Sequence, residues 1–179
     1  MNKGKLKALV HYIIANSEPS RLGAIRLNKI MFFVDSLAFR TDGQTVTGET
    51  YIKRQHGPVP QHILAILGEL EEEKAIVIRN RDRFGNTLRE FMSMEEADTT
   101  ALSDREISFA ESVRAHICEE HTANSISQLT HDQVWAAANM GEIIPMTATL
   151  TAWPGEITAE IMGWAENVVN RYEQIQQAA

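Results

Sequence analysis

The sequence predicts a compact, mainly helical α+β domain with one β-hairpin, winged-helix-like features and an additional C-terminal helix. Apolar residues recur at the helical spacing in several segments, and residues 75–94 look like two short strands around a turn. The 179 residues are 44% hydrophobic, so the chain can bury a core of its own. No apolar run approaches the ~18 residues that a membrane span needs. We therefore expect no contact with a membrane.

Three helices are predicted in the N-terminal half of the chain. The first two cover residues 3–16 and 20–40, and Gly43 is the signal that ends the second. A third helix is predicted from Pro60, because proline is tolerated in a first helical turn. The apolar stripes of the three helices are Leu6, Leu9, Val10, Ile13 and Ile14; Leu27, Ile30, Met31, Val34, Leu37 and Ala38; and Ile63, Leu64, Leu67 and Leu70.

The C-terminal half begins with the predicted hairpin, which turns at Gly85-Asn86. A capping box at Ser103 and Glu106 then predicts a helix that extends to about Glu120. Shorter helices are expected from Ser125 and around Trp135.

Residues 1–146 are predicted to form the main domain, and residues 147–179 a hinge and a last helix. The hinge is the segment 147–155, and the helix runs from Gly155 to about Gln176. Its apolar stripe, formed by Trp164, Val168, Tyr172 and Ile175, fits either the core of the same chain or a second subunit. A homodimer therefore remains one of two open alternatives.

Composition and motifs argue against an enzyme. The single cysteine, Cys118, excludes an intrachain disulfide and a CxxC site, and with the charged first residues it favours a reducing cytoplasm. His116 and His121 are five residues apart, a spacing that does not stack two side chains on one helix face. Glycine-rich phosphate loops and the GxSxG pattern are absent from the sequence. We expect no catalytic residue, no metal and no cofactor.

The distribution of charge suggests a charged partner. Residues 1–90 contain 14 Lys and Arg against 10 Asp and Glu, whereas residues 91–179 contain 3 against 14. The acidic half would suit a basic protein and would repel nucleic acid. Nucleic-acid binding is the alternative, with a winged-helix arrangement in which Arg79, Arg81 and Arg83 of the hairpin contact phosphates. The same arginines could also lie on a solvated hairpin and keep its edge from aggregating.

One segment, YIKRQHGPVP at residues 51–60, has the features of a recognition site. Gly57 permits positive φ, while Pro58 and Pro60 restrict the backbone and push the residues before them toward extended conformations. A rigid bend loses little entropy on binding. We therefore expect a partner-binding surface at Tyr51, Arg54, His56, Gly57, Pro58 and Val59. The alternative is that the bend only turns the chain and that Tyr51 is buried.

Residues around this segment resemble the Panacea family, the SocA-like antitoxin domain, over about residues 5–145. A lysine and an aspartate on the second helix match, as do the glycine after it, a Thr-Gly-x-x-Tyr run, the Gly-Pro-Val run and a later His-x-x-x-Trp run. Phe33, Glu49, His56 and Thr130 differ from the family pattern. The matching residues are Lys29, Asp35, Gly43, Thr47, Gly48, Tyr51, Gly57, Pro58, Val59, His131 and Trp135.

The resemblance implies an antitoxin that binds and neutralises a protein toxin encoded beside it, often in a prophage. It also implies that the antitoxin can present its toxin to a ClpXP-type protease. Trp135 is expected in the core rather than at the contact surface.

Overall fold

The computed structural model describes residues 1–83, 86–131 and 133–150. The predicted last helix, with the possible dimer contact, lies outside this part of the chain, as does most of the predicted hinge. Residues 146–150 form a 3₁₀ helix. The helices are α1 (Lys3–Ala15), α2 (Pro19–Asp42), α3 (Ile63–Glu72), α4 (Asp104–Glu120), α5 (Ala123–Leu129) and α6 (Gln133–Ala137); the strands are β1 (Tyr51–Arg54), β2 (Gly57–Pro60), β3 (Ile76–Arg83), β4 (Asn86–Ser93) and β5 (Ile143–Ile144).

The α+β fold class is confirmed, and α2 lies at its centre. This helix packs against α1, α4, α5, β2 and β4. Pro19 lies in its first turn, and Gly43 ends it with a φ of 71°. Gly23 interrupts the helix with a φ of 57° and a ψ of 165°, a conformation that favours glycine. The apolar side chains of α1 and α2 meet in the core, where Leu6, Leu9, Ile13, Leu27, Ile30, Met31 and Val34 are fully enclosed.

Helix starts follow the capping signals closely. The Ser103 hydroxyl accepts a hydrogen bond from the backbone N–H of Glu106, and the backbone N–H of Ser103 donates to the Glu106 carboxylate. The predicted capping box of α4 is therefore confirmed. A second box, Thr122 with Ser125, starts α5 two residues before the predicted position. This box has serine at the third residue after the N-cap, where the usual pattern has glutamate, so the signal was harder to recognise in the sequence.

The described residues form two antiparallel sheets, where the sequence predicted one hairpin. The predicted hairpin is β3–β4, and β2-β1-β5 is a separate three-stranded sheet. The bend at 51–60 is itself a hairpin, with Tyr51 opposite Pro60 and Arg54 opposite Gly57. Pro58 and Pro60 have no backbone N–H, so β2 can only be an edge strand, which is its observed position.

The prediction that Pro60 begins the third helix is wrong. Pro60 pairs with Tyr51 at the end of β2, and the next residue, Gln61, still donates its backbone N–H to the Thr50 carbonyl at 2.8 Å. Helix α3 starts at Ile63, with His62 as its N-cap. The sheet therefore holds the chain extended for the whole proline-containing segment.

No helix in the described part of the chain is both long and apolar enough to cross a membrane.

Candidate partner-binding surface

The hairpin β1–β2 separates its side chains into a buried base and an exposed tip. Arg54, Gln55 and His56 are exposed, and Gln55 and His56 form the turn between the strands. Gly57 follows the turn with a φ of 102°. Of the predicted contact residues, Arg54 and His56 therefore lie at the surface, whereas Gly57 and Pro58 are buried and Val59 is half-buried against the core.

Tyr51 is buried. Its side chain is therefore not available to a partner, contrary to the prediction that it belongs to the contact surface. It is 1% exposed, and its ring packs edge-to-face on Phe32 at 5.2 Å between centroids. Its hydroxyl lies 2.8 Å from the Asp35 carboxylate and 2.8 Å from the Met31 carbonyl. The alternative reading of Tyr51, burial beneath the bend, is the observed one.

Asp35 ties the hairpin base to α2. Its side chain is fully enclosed and accepts the backbone N–H of Thr47 at 2.9 Å as well as the Thr47 hydroxyl. Burial raises the pKa of Asp35, while the hydrogen bonds from Thr47 and Tyr51 act in the opposite direction. Burial is also the largest cause that raises the pKa of Tyr51, followed by the nearby Asp35. This network fixes the position of β1 on the core.

The backbone of the tip is held by the segment that contains α5 and α6. Ser127 donates its hydroxyl to the His56 carbonyl at 3.0 Å, and Trp135 donates its indole N–H to the Arg54 carbonyl at 3.2 Å. These two bonds anchor the main chain on both sides of the turn. The side chains of Arg54 and His56 remain exposed to solvent.

Trp135 was predicted to lie in the core, but it lies at the side of the hairpin. Its ring is half-buried and stacks on His131, with 3.7 Å between centroids and 9° between planes. The Lys53 ammonium lies 4.0 Å from the centre of the indole and donates to the Ala138 carbonyl at 3.0 Å. The His-x-x-x-Trp run thus forms a stacked support for the tip, although His131 precedes α6.

Lys29 lies directly beneath Gly57. Its side chain is almost completely buried, and its Nζ atom has no hydrogen-bond partner among the described residues. A β-carbon placed on Gly57 would lie 1.9 Å from Lys29 Nζ and 2.5 Å from Thr130 Oγ1. Only glycine therefore fits at this position. Burial lowers the pKa of Lys29 to about 7.

The second hairpin carries the arginines of the nucleic-acid alternative. Arg79 and Arg81 are exposed, and Arg81 lies 3.4 Å from the Glu90 carboxylate. The side chain of Arg83 lies outside the described residues. The preceding helix, α3, exposes Leu64, Ala65, Glu71 and Glu72, and none of its residues is lysine or arginine. Such a face is poorly suited to phosphates.

Among the described residues, no group of three or more His, Cys, Asp and Glu side chains is arranged to hold a metal ion. His116 and His121 do come together, with ring centroids 5.1 Å apart, contrary to the expectation from their spacing. Helix α4 ends at Glu120, so His121 lies in extended chain and can turn back toward His116. His116 also pairs with Glu120 at 3.2 Å.

The chain is an α+β protein whose β1–β2 hairpin is hydrogen-bonded to α2 at its base and to Ser127 and Trp135 near its tip. A family model described as "Antitoxin SocA-like, Panacea domain" matches residues 27–136, which is more than half of the chain. The chain belongs to this family of SocA-like antitoxins. Neither a curated protein nor a solved structure matches the chain.

Several of the residues that carried the family resemblance lie around this hairpin. Lys29, Asp35 and Thr47 lie beneath it, and His131 and Trp135 lie beside its tip. Sequence reasoning missed Ser127 and Lys53 as supports of the tip. A serine on a short helix and a lysine in a strand carry no pattern that distinguishes them from surface residues.

Proposed function

We propose that this chain neutralises a protein toxin by direct contact through the tip of the β1–β2 hairpin, formed by Arg54, Gln55 and His56. Membership of the SocA-like antitoxin family supports a toxin as the partner. The observation that carries the choice of surface is that the backbone of the tip is anchored by Ser127 and Trp135 while its side chains are exposed.

Binding at this tip is favourable for two physical reasons. A backbone that is already held loses less conformational entropy when the complex forms. An exposed arginine can also make several hydrogen bonds with carboxylates or carbonyls of a partner, and arginine is enriched among the residues that dominate interface energies. No catalytic group is needed for neutralisation of this kind.

The test is a growth assay in which the toxic protein encoded by the neighbouring reading frame is co-expressed with variants of this chain. The double variant Arg54→Ala/His56→Ala should lose rescue of growth, by at least tenfold in surviving colonies, while its melting temperature stays near that of the wild type. A matched control is Arg79→Ala/Arg81→Ala, which removes charge from the other hairpin and should rescue fully.

Full rescue by the Arg54/His56 variant would show that the contact surface lies elsewhere. If the control variant fails instead, and the wild type binds DNA with a steep salt dependence, the regulator alternative is favoured. Presentation of the toxin to a ClpXP-type protease is an extension of the same proposal. It predicts a shorter toxin half-life only in cells that contain both the antitoxin and the protease.

A further inference from the structure

The buried amine of Lys29 is enclosed by three structural elements. Lys29 lies on α2, Gly57 of β2 covers its Nζ atom, and Thr130 after α5 lies beside the same point. The hydroxyl of Thr130 points to the backbone carbonyls of Ile126 and Ser127. The amine thus fills the space beneath the hairpin without a hydrogen bond among the described residues.

A neutral amine can be enclosed in this way at modest cost, whereas an ammonium without a partner is strongly disfavoured. Among the residues that the structure describes, the charged and titratable groups on the surrounding elements are engaged elsewhere or point outward. Asp35 of α2 bonds to Thr47 and Tyr51, and Lys53 of β1 lies on Trp135. His131 stacks on the same indole, and Arg54 and His56 are exposed. The pKa of Lys29 is accordingly lowered by its burial.

We propose that Lys29 is a pH-sensitive latch for the β1–β2 hairpin: the neutral amine lets the hairpin seat on α2, and the protonated amine favours a state in which the hairpin lifts and the ammonium reaches water. The latch would act in the free chain, whether or not the toxin is present.

The direction of the pH effect follows from the two protonation equilibria. The pKa of Lys29 is about 7 in the seated state, against 10.5 for a solvated lysine. Between pH 7 and pH 10.5, Lys29 is mostly neutral in the seated state and mostly protonated in the lifted state, so lifting of the hairpin takes up a proton. The seated state therefore becomes more favourable as the pH rises. Below about pH 7 both states are protonated, and the seated state has its lowest relative stability, independent of pH.

The test is hydrogen–deuterium exchange of residues 51–60 between pH 7.5 and 9.5, measured by quenched-flow mass spectrometry and divided by intrinsic exchange rates. In the wild type, protection of this segment should rise roughly tenfold per pH unit. Protection of residues 76–82 in the other hairpin serves as the internal reference. A wild-type profile that is flat relative to this reference would overturn the proposal, and this comparison requires no variant.

The variant Lys29→Met, which cannot be charged, should show protection of residues 51–60 that is higher than in the wild type at pH 7.5 and does not change with pH. Lys29→Arg, which stays charged, should leave the segment poorly protected throughout the range. If the slope persists in the methionine variant, another group titrates and Lys29 is not the latch.

Discussion

The two hairpins in the described part of the chain are anchored differently, although both are antiparallel and both carry arginine. The first, β1–β2, has four-residue strands and is anchored at its base by Asp35 and at its tip by Ser127 and Trp135. The second, β3–β4, has eight-residue strands; Ile76 and Phe91 at its base are buried in the core, and Leu88 of β4 lies against Gly23 of α2. Residues 79–82 of its outer half are all exposed.

The difference shows how a protein can present a surface with fixed geometry from very few residues. In the first hairpin, hydrogen bonds hold the main chain on both sides of a two-residue turn, so the exposed side chains project from a fixed frame. In the second, the outer residues of β3 are exposed and are held mainly by pairing with β4, which itself packs on α2. Local stability is therefore expected to be higher at the first tip.

The largest expected effect follows removal of Tyr51 from the base of the first hairpin. Tyr51→Ala should lower the free energy of unfolding by about 3–5 kcal/mol, because it empties a fully buried aromatic site. Tyr51→Phe keeps the ring but leaves Asp35 and the Met31 carbonyl without this donor, and should cost about 1–3 kcal/mol. Urea unfolding measures both values. A melting temperature unchanged by Tyr51→Ala would contradict the buried position.

An intermediate effect is expected from Gly57→Ala. Alanine would have to adopt the positive φ of this position, which costs roughly 1–2 kcal/mol. Its methyl group would also collide with Lys29 Nζ and Thr130 Oγ1 in an enclosed space, for about 1–3 kcal/mol more. Gly43→Ala is the matched control, because Gly43 has a φ of 71° but nothing within 4 Å of the added carbon. Equal losses for the two variants in urea unfolding would show that the contact beneath Gly57 is unimportant.

The smallest effect is expected from the anchor of the tip. Ser127→Ala removes the hydrogen bond to the His56 carbonyl and should destabilise the seated tip by about 0.5–1.5 kcal/mol. Exchange of the tip amides should accelerate accordingly, while the exposed control Ser20→Ala, whose hydroxyl bonds to Glu18, should leave it unchanged. Identical exchange at the tip in both variants would mean that Ser127 does not hold it.

Patterns along the chain predicted the parts of the fold that depend on local signals. The apolar stripes located α1 and α2, and the capping box at Ser103 located α4, because these signals act over three or four residues. The prolines of 51–60 indicated a rigid bend, but they did not reveal a hairpin, because proline within a run argues against a strand. Other strand pairing depends on residues that only the fold brings together. The pairing of β1 with Ile143–Ile144 is an example.

The candidate site was predictable only in part for the same reason. Exposure of Arg54 and His56 agreed with the interpretation of the bend, whereas Tyr51 could equally have pointed outward or inward. Its direction is decided by Asp35, sixteen residues earlier, which provides a buried acceptor. The contact of Lys29 with Gly57 likewise joins α2 to β2 and leaves no pattern in the sequence.

The most direct test of the account is a hydrogen-exchange footprint of the complex between this chain and the toxic protein encoded beside it, measured at saturating toxin. We predict that the amides of Gln55 and His56 exchange at least tenfold more slowly in the complex than in the free chain, while residues 79–82 of the second hairpin exchange at the same rate in both. Slowed exchange confined to residues 79–82, with the first tip unchanged, would contradict the assignment of the binding surface.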